Sequence, residues 1–200
     1  MNRINKPSLP PDRRRASGPV RLVLAALFGL LLAAPTAARL PKPAREAPIA
    51  PPPPERSLSF YNTHTAERLS LVYRRGDEYL PNALERINHL LRDYRCGQEH
   101  AIDPELLDFL YDLLQKVDYQ GEVFIISGYR SPATNRAMHE RSSGVVLGSQ
   151  HTFGRAIDIR LPGEDTHRLY EIARSMKRGG TGYYGRSDFI HIDTGRVRCW

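Results

Sequence analysis

The sequence predicts an α+β fold, a central and largely antiparallel sheet with flanking helices. Three observations lead there. Strand-like and helix-like segments are mixed across residues 57–200 without the regular alternation that builds a parallel sheet. The first two β-rich runs are separated by only six residues, a spacing that suits a hairpin. Later runs alternate apolar and polar residues with period two, the pattern of a strand with one buried face.

The elements follow in order. Residues 58–62, LSFYN, and 69–75, LSLVYRR, are the hairpin strands, joined by THTAER. Residues 81–94, PNALERINHLLRDY, open on a proline and place Leu84, Ile87, Leu90 and Leu91 at helical spacing. His89 falls between those positions and reads as a helix-surface residue. Residues 103–117, DPELLDFLYDLLQKV, form a second helix, in which Asp103 can cap the start and Pro104 suits the first turn. VFIIS, 123–127, is a short apolar strand, followed by a turn at GYRSP and a polar helix at 132–142. Strand patterns recur at 155–161 and 189–194. Between them 165–178, DTHRLYEIARSMKR, is a helix stopped by Gly179 and Gly180.

The folded domain is expected at 57–200, because what precedes it has a different character. Residues 1–38 read as a signal peptide or N-terminal anchor. Arg13, Arg14 and Arg15 precede thirteen apolar residues, Leu22 to Ala34, too few for the roughly 20 a membrane span needs. Thr36-Ala37-Ala38 offers a cleavage site. Ala16, Ser17 and Gly18 after the arginines make a poor twin-arginine signal, so the export route stays open, as does cleavage against anchoring. Residues 39–56 form a linker. Its segment 41–54 holds seven prolines, which favour extended polyproline geometry over helix or sheet.

Setting the leader aside changes the charge argument. The whole chain carries +7, but residues 1–56 hold ten Lys/Arg against three Asp/Glu, leaving nineteen of each sign in 57–200. A nucleic-acid binder keeps its basic excess in the folded part. A neutral domain therefore argues against a nucleic-acid partner. The two cysteines, Cys96 and Cys199, are candidates for one disulfide in an exported protein, closing a loop worth up to about 4–5 kcal/mol.

One constellation carries chemistry. In FIHID, 189–193, residues Phe189, His191 and Asp193 share one face of a strand, and Ile190 and Ile192 the other. In RAIDIRL, 155–161, Ala156, Asp158 and Arg160 stand opposite three core-directed residues in the same way. Neighbouring strands would bring Asp158 and His191 to one surface. On a straight strand His151 would face away from Asp158, but Gly154 permits a bend that folds the histidine back. Two imidazoles, a carboxylate and an open position are the donor set of a catalytic zinc.

The segments SGYRSPATN (127–135), SQHTFGRAID (149–158) and GYYGRSDFIHID (182–193), in this order, resemble the peptidase M15 superfamily, in its branch of murein endopeptidases. The resemblance runs from about Leu58 to Trp200. It implies the zinc peptidase fold that M15 enzymes share with hedgehog domains. It implies a Zn²⁺ ion held by His151, Asp158 and His191. It implies that Arg130 contacts substrate or a developing oxyanion, and that Ser149 hydrogen-bonds substrate. Ser127 and Asn135 read as structural support, His139 as a surface residue, and Tyr183, Tyr184 and Trp200 as groove or packing aromatics. Related enzymes place a catalytic acid three residues before the last ligand, where this chain has Asp188. Strand parity opposes Asp188 unless the chain bends at Arg186–Ser187. Asp193 has the right parity but suits orienting His191. Asp188 is the favoured base and Asp193 the alternative.

The implied activity is hydrolysis of peptide cross-links in peptidoglycan, by an exported, periplasmic enzyme whose partners are stem peptides and whose only membrane contact is its N-terminal segment. A catalytically silent zinc module that binds wall peptides, and a carboxypeptidase trimming D-alanine, are the rival readings. The D,D or L,D character of the bond, endo or exo cutting, and the oligomeric state are not legible.

Overall fold

The computed structural model describes residues 52–142 and 144–200. The expected signal or anchor and nearly all of the proline-rich linker lie outside the described residues. Among the described residues no helix is long and apolar enough to cross a membrane.

The domain is α+β, as expected. Eight strands form one sheet in the order β3–β2–β1–β4–β5–β7–β6–β8. The strands are β1 (Glu55–Asn62), β2 (Arg68–Arg75), β3 (Glu78–Tyr79), β4 (Val123–Ser127), β5 (Ala156–Arg160), β6 (Gly180–Tyr184), β7 (Phe189–Asp193) and β8 (Arg198–Cys199). The pairs β1–β4 and β6–β8 are parallel; all others are antiparallel. The helices are α1 (Pro81–Leu90), α2 (Pro104–Val117), α3 (Pro132–Arg141) and α4 (Thr166–Ser175).

The alternation read from the sequence explains the core. Ile157, Ile159, Ile190 and Ile192 are fully buried and join Phe60, Val123 and Ile125 beneath the leucines of α2 and α4. Each such side chain contributes about 1.5–3 kcal/mol on leaving water. The capping residues work as their types require. Asp103 accepts from the Glu105 amide at 3.0 Å, and Asp165 from the Arg168 amide at 2.6 Å.

Several assignments differ from expectation. The hairpin begins at Glu55, inside the stretch read as linker. Helix α1 stops at Leu90 rather than Tyr94, because Asp93 is buried and turns the chain. Its carboxylate accepts from the amides of Ser131 and Arg95, and its backbone pairs with Gln98. Strands β3, β6 and β8 were not expected, since GTGYY carries two glycines and β3 and β8 are two residues long.

The expected Cys96–Cys199 disulfide is not present in this structure, where both thiols are free and exposed. Cys96 lies against Ser131, which follows β4, whereas Cys199 sits on β8. Four inter-strand steps of about 4.8 Å separate β4 from β8, far beyond the reach of an S–S bond.

Candidate metal centre

Asp158 and His191 are direct cross-strand partners on β5 and β7. His151 reaches them from a 3-10 turn, Gln150–Phe153, that precedes β5. That turn closes on Gly154, whose φ of +66° and whose contact with the Ala101 carbonyl leave no room for a Cβ. The bend read from the sequence is therefore real, and it folds His151 over the sheet.

Each ligand's free atom is selected by what its other atom does. His151 Nδ1 lies 2.7 Å from the Gly128 carbonyl, so its proton sits there and Nε2 presents a lone pair. His191 Nε2 lies 2.8 Å from Asp193 Oδ2, so Nδ1 is the free nitrogen. These two nitrogens and Asp158 Oδ1 form a triangle with edges of 3.1, 3.2 and 2.9 Å. Tetrahedral zinc with bonds of about 2.0–2.1 Å has ligand–ligand edges of about 3.3 Å. The triad fits the ion, and three electron-pair donors packed this closely need a cation or proton between them. It is the group among the described residues that could hold a metal.

Electrostatics agree. Burial alone would raise the Asp158 pKa, but the two imidazoles outweigh it and hold the carboxyl well below the usual range. Burial pushes His151 down, with Asp158 pulling the other way. Burial opposes charge on His191 too, yet Asp158 and Asp193 together leave its pKa raised.

Asp193 accepts from His191 Nε2 and so orients that ring. It is fully buried and receives five donors: His191 Nε2, the amides of Gly180 and Gly195, and both terminal nitrogens of Arg198. All five contacts fall on its two carboxylate oxygens, so in this structure Asp193 is occupied by these partners. Asp188, the favoured base, does not line the cavity. The bend at 185–187 exists and Asp188 takes a left-handed φ of 54°, but its carboxylate pairs with Arg160 at 3.0 Å and with the Thr166 hydroxyl. It lies outside the cleft, exposed to solvent.

The triad opens into a cavity of about 440 Å³ that Arg130, Ser149, Tyr184 and Trp200 also line. Arg130 is buried, its ion pair with Asp158 is long at 3.5 Å, and its Nε has no partner. Burial lowers its pKa, against the pull of Asp158. Ser149 stands at the head of the 3-10 turn without spending its hydroxyl on a cap. Asn135 is structural, donating to the carbonyls of Val146 and Leu147 and so pinning the loop that rims the cavity. Ser127 pairs opposite Asp158 in the β4–β5 ladder. His139 and His89 are exposed and bond to the Val145 carbonyl and to Glu99. Sequence reasoning missed Arg198 altogether. Its only signal is a strand-like RVRC too short to read.

Fold and site together define a domain of the M15 peptidase class. A family model, Peptidase_M15_2, described as peptidoglycan L,D-endopeptidase MepK, matches residues 51–200, and the chain belongs to that family. It is 42% identical over 180 residues to the peptidoglycan L,D-endopeptidase MepK of Escherichia coli K12, covering 90% of this chain and 96% of that one. The protein of the same name from Shigella flexneri matches equally. A probable peptidoglycan L,D-endopeptidase MepK of Haemophilus influenzae is 39% identical over 149 residues, covering 74% of this chain and 80% of that one. No solved structure matches.

Proposed function

We propose that this chain is an exported, zinc-dependent murein endopeptidase that hydrolyses peptide cross-links of peptidoglycan, at the L,D bonds its relatives are named for. The observation that carries the reading is the triangle of His151 Nε2, Asp158 Oδ1 and His191 Nδ1 at the floor of a peptide-sized cavity. The leader and proline-rich linker support a periplasmic site of action, near the membrane if the leader is retained.

His151, Asp158 and His191 would hold the ion. Zinc supplies a Lewis acid that polarises the scissile carbonyl and brings the pKa of water toward 7. The remaining work falls to the chain. Asp193 and the Gly128 carbonyl keep the imidazole protons on the far side of each ring, so both lone pairs face the cavity. Arg130, buried and under-partnered, is a preorganised charge for the oxyanion that develops as the amide is attacked. Ser149 offers a hydroxyl to the substrate backbone.

One observation favours a catalytically silent module as second reading: among the described residues no carboxylate other than Asp158 lines the cavity. Digestion of cross-linked peptidoglycan by the purified chain separates the two. Conversion of dimers to monomers with zinc, lost on chelation and in His151→Ala, supports the enzyme, and product masses name the bond. Stoichiometric zinc with unchanged muropeptides supports the module.

A further inference from the structure

We propose that Tyr184 is a catalytic residue whose phenol O–H donates a hydrogen bond to the oxygen of the reacting amide, working with Arg130. The inference rests on the peptidase reading above. The phenol keeps its hydrogen throughout, so no charge is transferred.

Register puts the side chain in place. Gly182 stands opposite His191 and Tyr184 opposite Phe189, so residues 182, 184, 189 and 191 share the ligand face. The Tyr184 ring is stacked on Phe189, with centroids 4.5 Å apart and planes within 13°, which fixes its orientation on the cavity wall.

The second observation concerns the hydroxyl. Trp200 lies over Gly182, where an added Cβ would come within 2.6 Å of the indole. Its ring is 5.2 Å from that of His191, and its Nε1 donates to Tyr184 Oη at 3.0 Å. One indole thus spans from a metal-ligand candidate to the phenol. Indole N–H can only donate, so the phenol oxygen accepts there and its own hydrogen stays free. Among the described residues it is donated to no protein group. Accepting a hydrogen bond also strengthens the phenol as a donor.

The third observation is what else the cavity holds. Asp193 is saturated and Asp188 does not line the cavity; of the polar side chains that do, Arg198 is spent on Asp193, and Arg130, Ser142, Ser149, Gln150 and Tyr184 remain to meet a developing charge. Arg130 and Tyr184 line the same cavity. Two donors converging on one region are what a tetrahedral oxyanion requires.

The test is Tyr184→Phe, assayed for kcat and KM on a soluble cross-linked muropeptide. Affinity for its phosphinate analogue, with tetrahedral phosphorus at the scissile carbon, is measured alongside. The expected result is a fall in kcat of about 100-fold with KM within about threefold, a matching loss of phosphinate affinity, and unchanged zinc content. Trp200→Phe, which keeps the hydroxyl but loses the N–H that fixes it, is expected to lower kcat about tenfold. Tyr184→Phe with wild-type kcat and phosphinate affinity overturns the role of Tyr184 and leaves the peptidase reading standing. Wild-type protein that cleaves no cross-link overturns both. Should Tyr184→Phe not fold, an unchanged kcat in Trp200→Phe overturns the inference.

Discussion

Asp158 and His191 face each other across the β5–β7 pair, with Oδ1 and Nδ1 2.9 Å apart. Each is held by the backbone of a buried strand, so the ligand geometry is built before any ion arrives. Folding and metal binding should therefore be linked. Saturating zinc, at about a thousand times its Kd, is expected to add about 4 kcal/mol and raise Tm by roughly 10 °C. His191→Ala should abolish the shift in a thermal melt run with and without chelator.

Asp193 fixes His191 through Nε2 without reaching the cavity. Asp193→Asn is expected to weaken zinc affinity about 10–100-fold, and to lower stability as well because its amide NH2 would face the donors that Asp193 now accepts from. Competition with a chromophoric chelator measures it, and unaltered affinity would show that His191 is oriented by something else.

Asp188 is occupied by Arg160 and Thr166. Asp188→Ala should therefore retain zinc and keep kcat within about threefold of wild type. The lost surface pair should cost no more than about 1 kcal/mol. A fall of a hundredfold or more with the metal still bound would restore Asp188 as the base.

The two thiols stay separate. Titration of the unfolded, unreduced chain with a thiol reagent should count two free sulfhydryls, and reduction should add none. A count of zero would mean the β8 edge rearranges to reach Cys96.

Away from the site, Asp108 ties the hairpin to α2. It is buried and accepts from Tyr73 and Tyr79, both at 2.7 Å, with Arg74 and Arg56 beside it. Burial alone would raise its pKa, but the tyrosine hydrogen bonds and the arginine charges outweigh that and depress it. The sign follows from linkage. The unfolded carboxyl, near 3.9, binds a proton before the folded one does. The stabilisation is thus complete above about pH 4 and is lost as pH falls below it. Asp108→Asn should destabilise the domain at pH 7 by about 3 kcal/mol or more and flatten this acid limb. Denaturant melts at pH 7 and pH 3 would detect both effects.

Much of this protein is legible in its sequence, and for a physical reason. Period-two alternation in FIHID and RAIDIRL forces isoleucines inward, which sets His191 and Asp193 on one face of their strand and Asp158 on the polar face of its own; the pairing of β5 with β7 makes these one surface. Gly154 marks the bend that returns His151, and Asp103 and Pro104 mark the start of α2. These are local constraints, set by residues within a few positions of one another. Assigning a job to each carboxylate is different, because it depends on partners distant in sequence. Asp193 loses its availability to Arg198 and the Gly180 amide, across strands that are too short or too glycine-rich to announce themselves. Asp188 loses its own to Arg160, twenty-eight residues earlier. The cysteines, candidates for one bridge in the linear chain, are parted by the order of the strands. Tyr184 gains its role only because Gly182 leaves space for an indole. The local pattern determined which faces exist and which side chains could serve as ligands; tertiary packing alone decided which polar groups were already satisfied, and so which remained free to act.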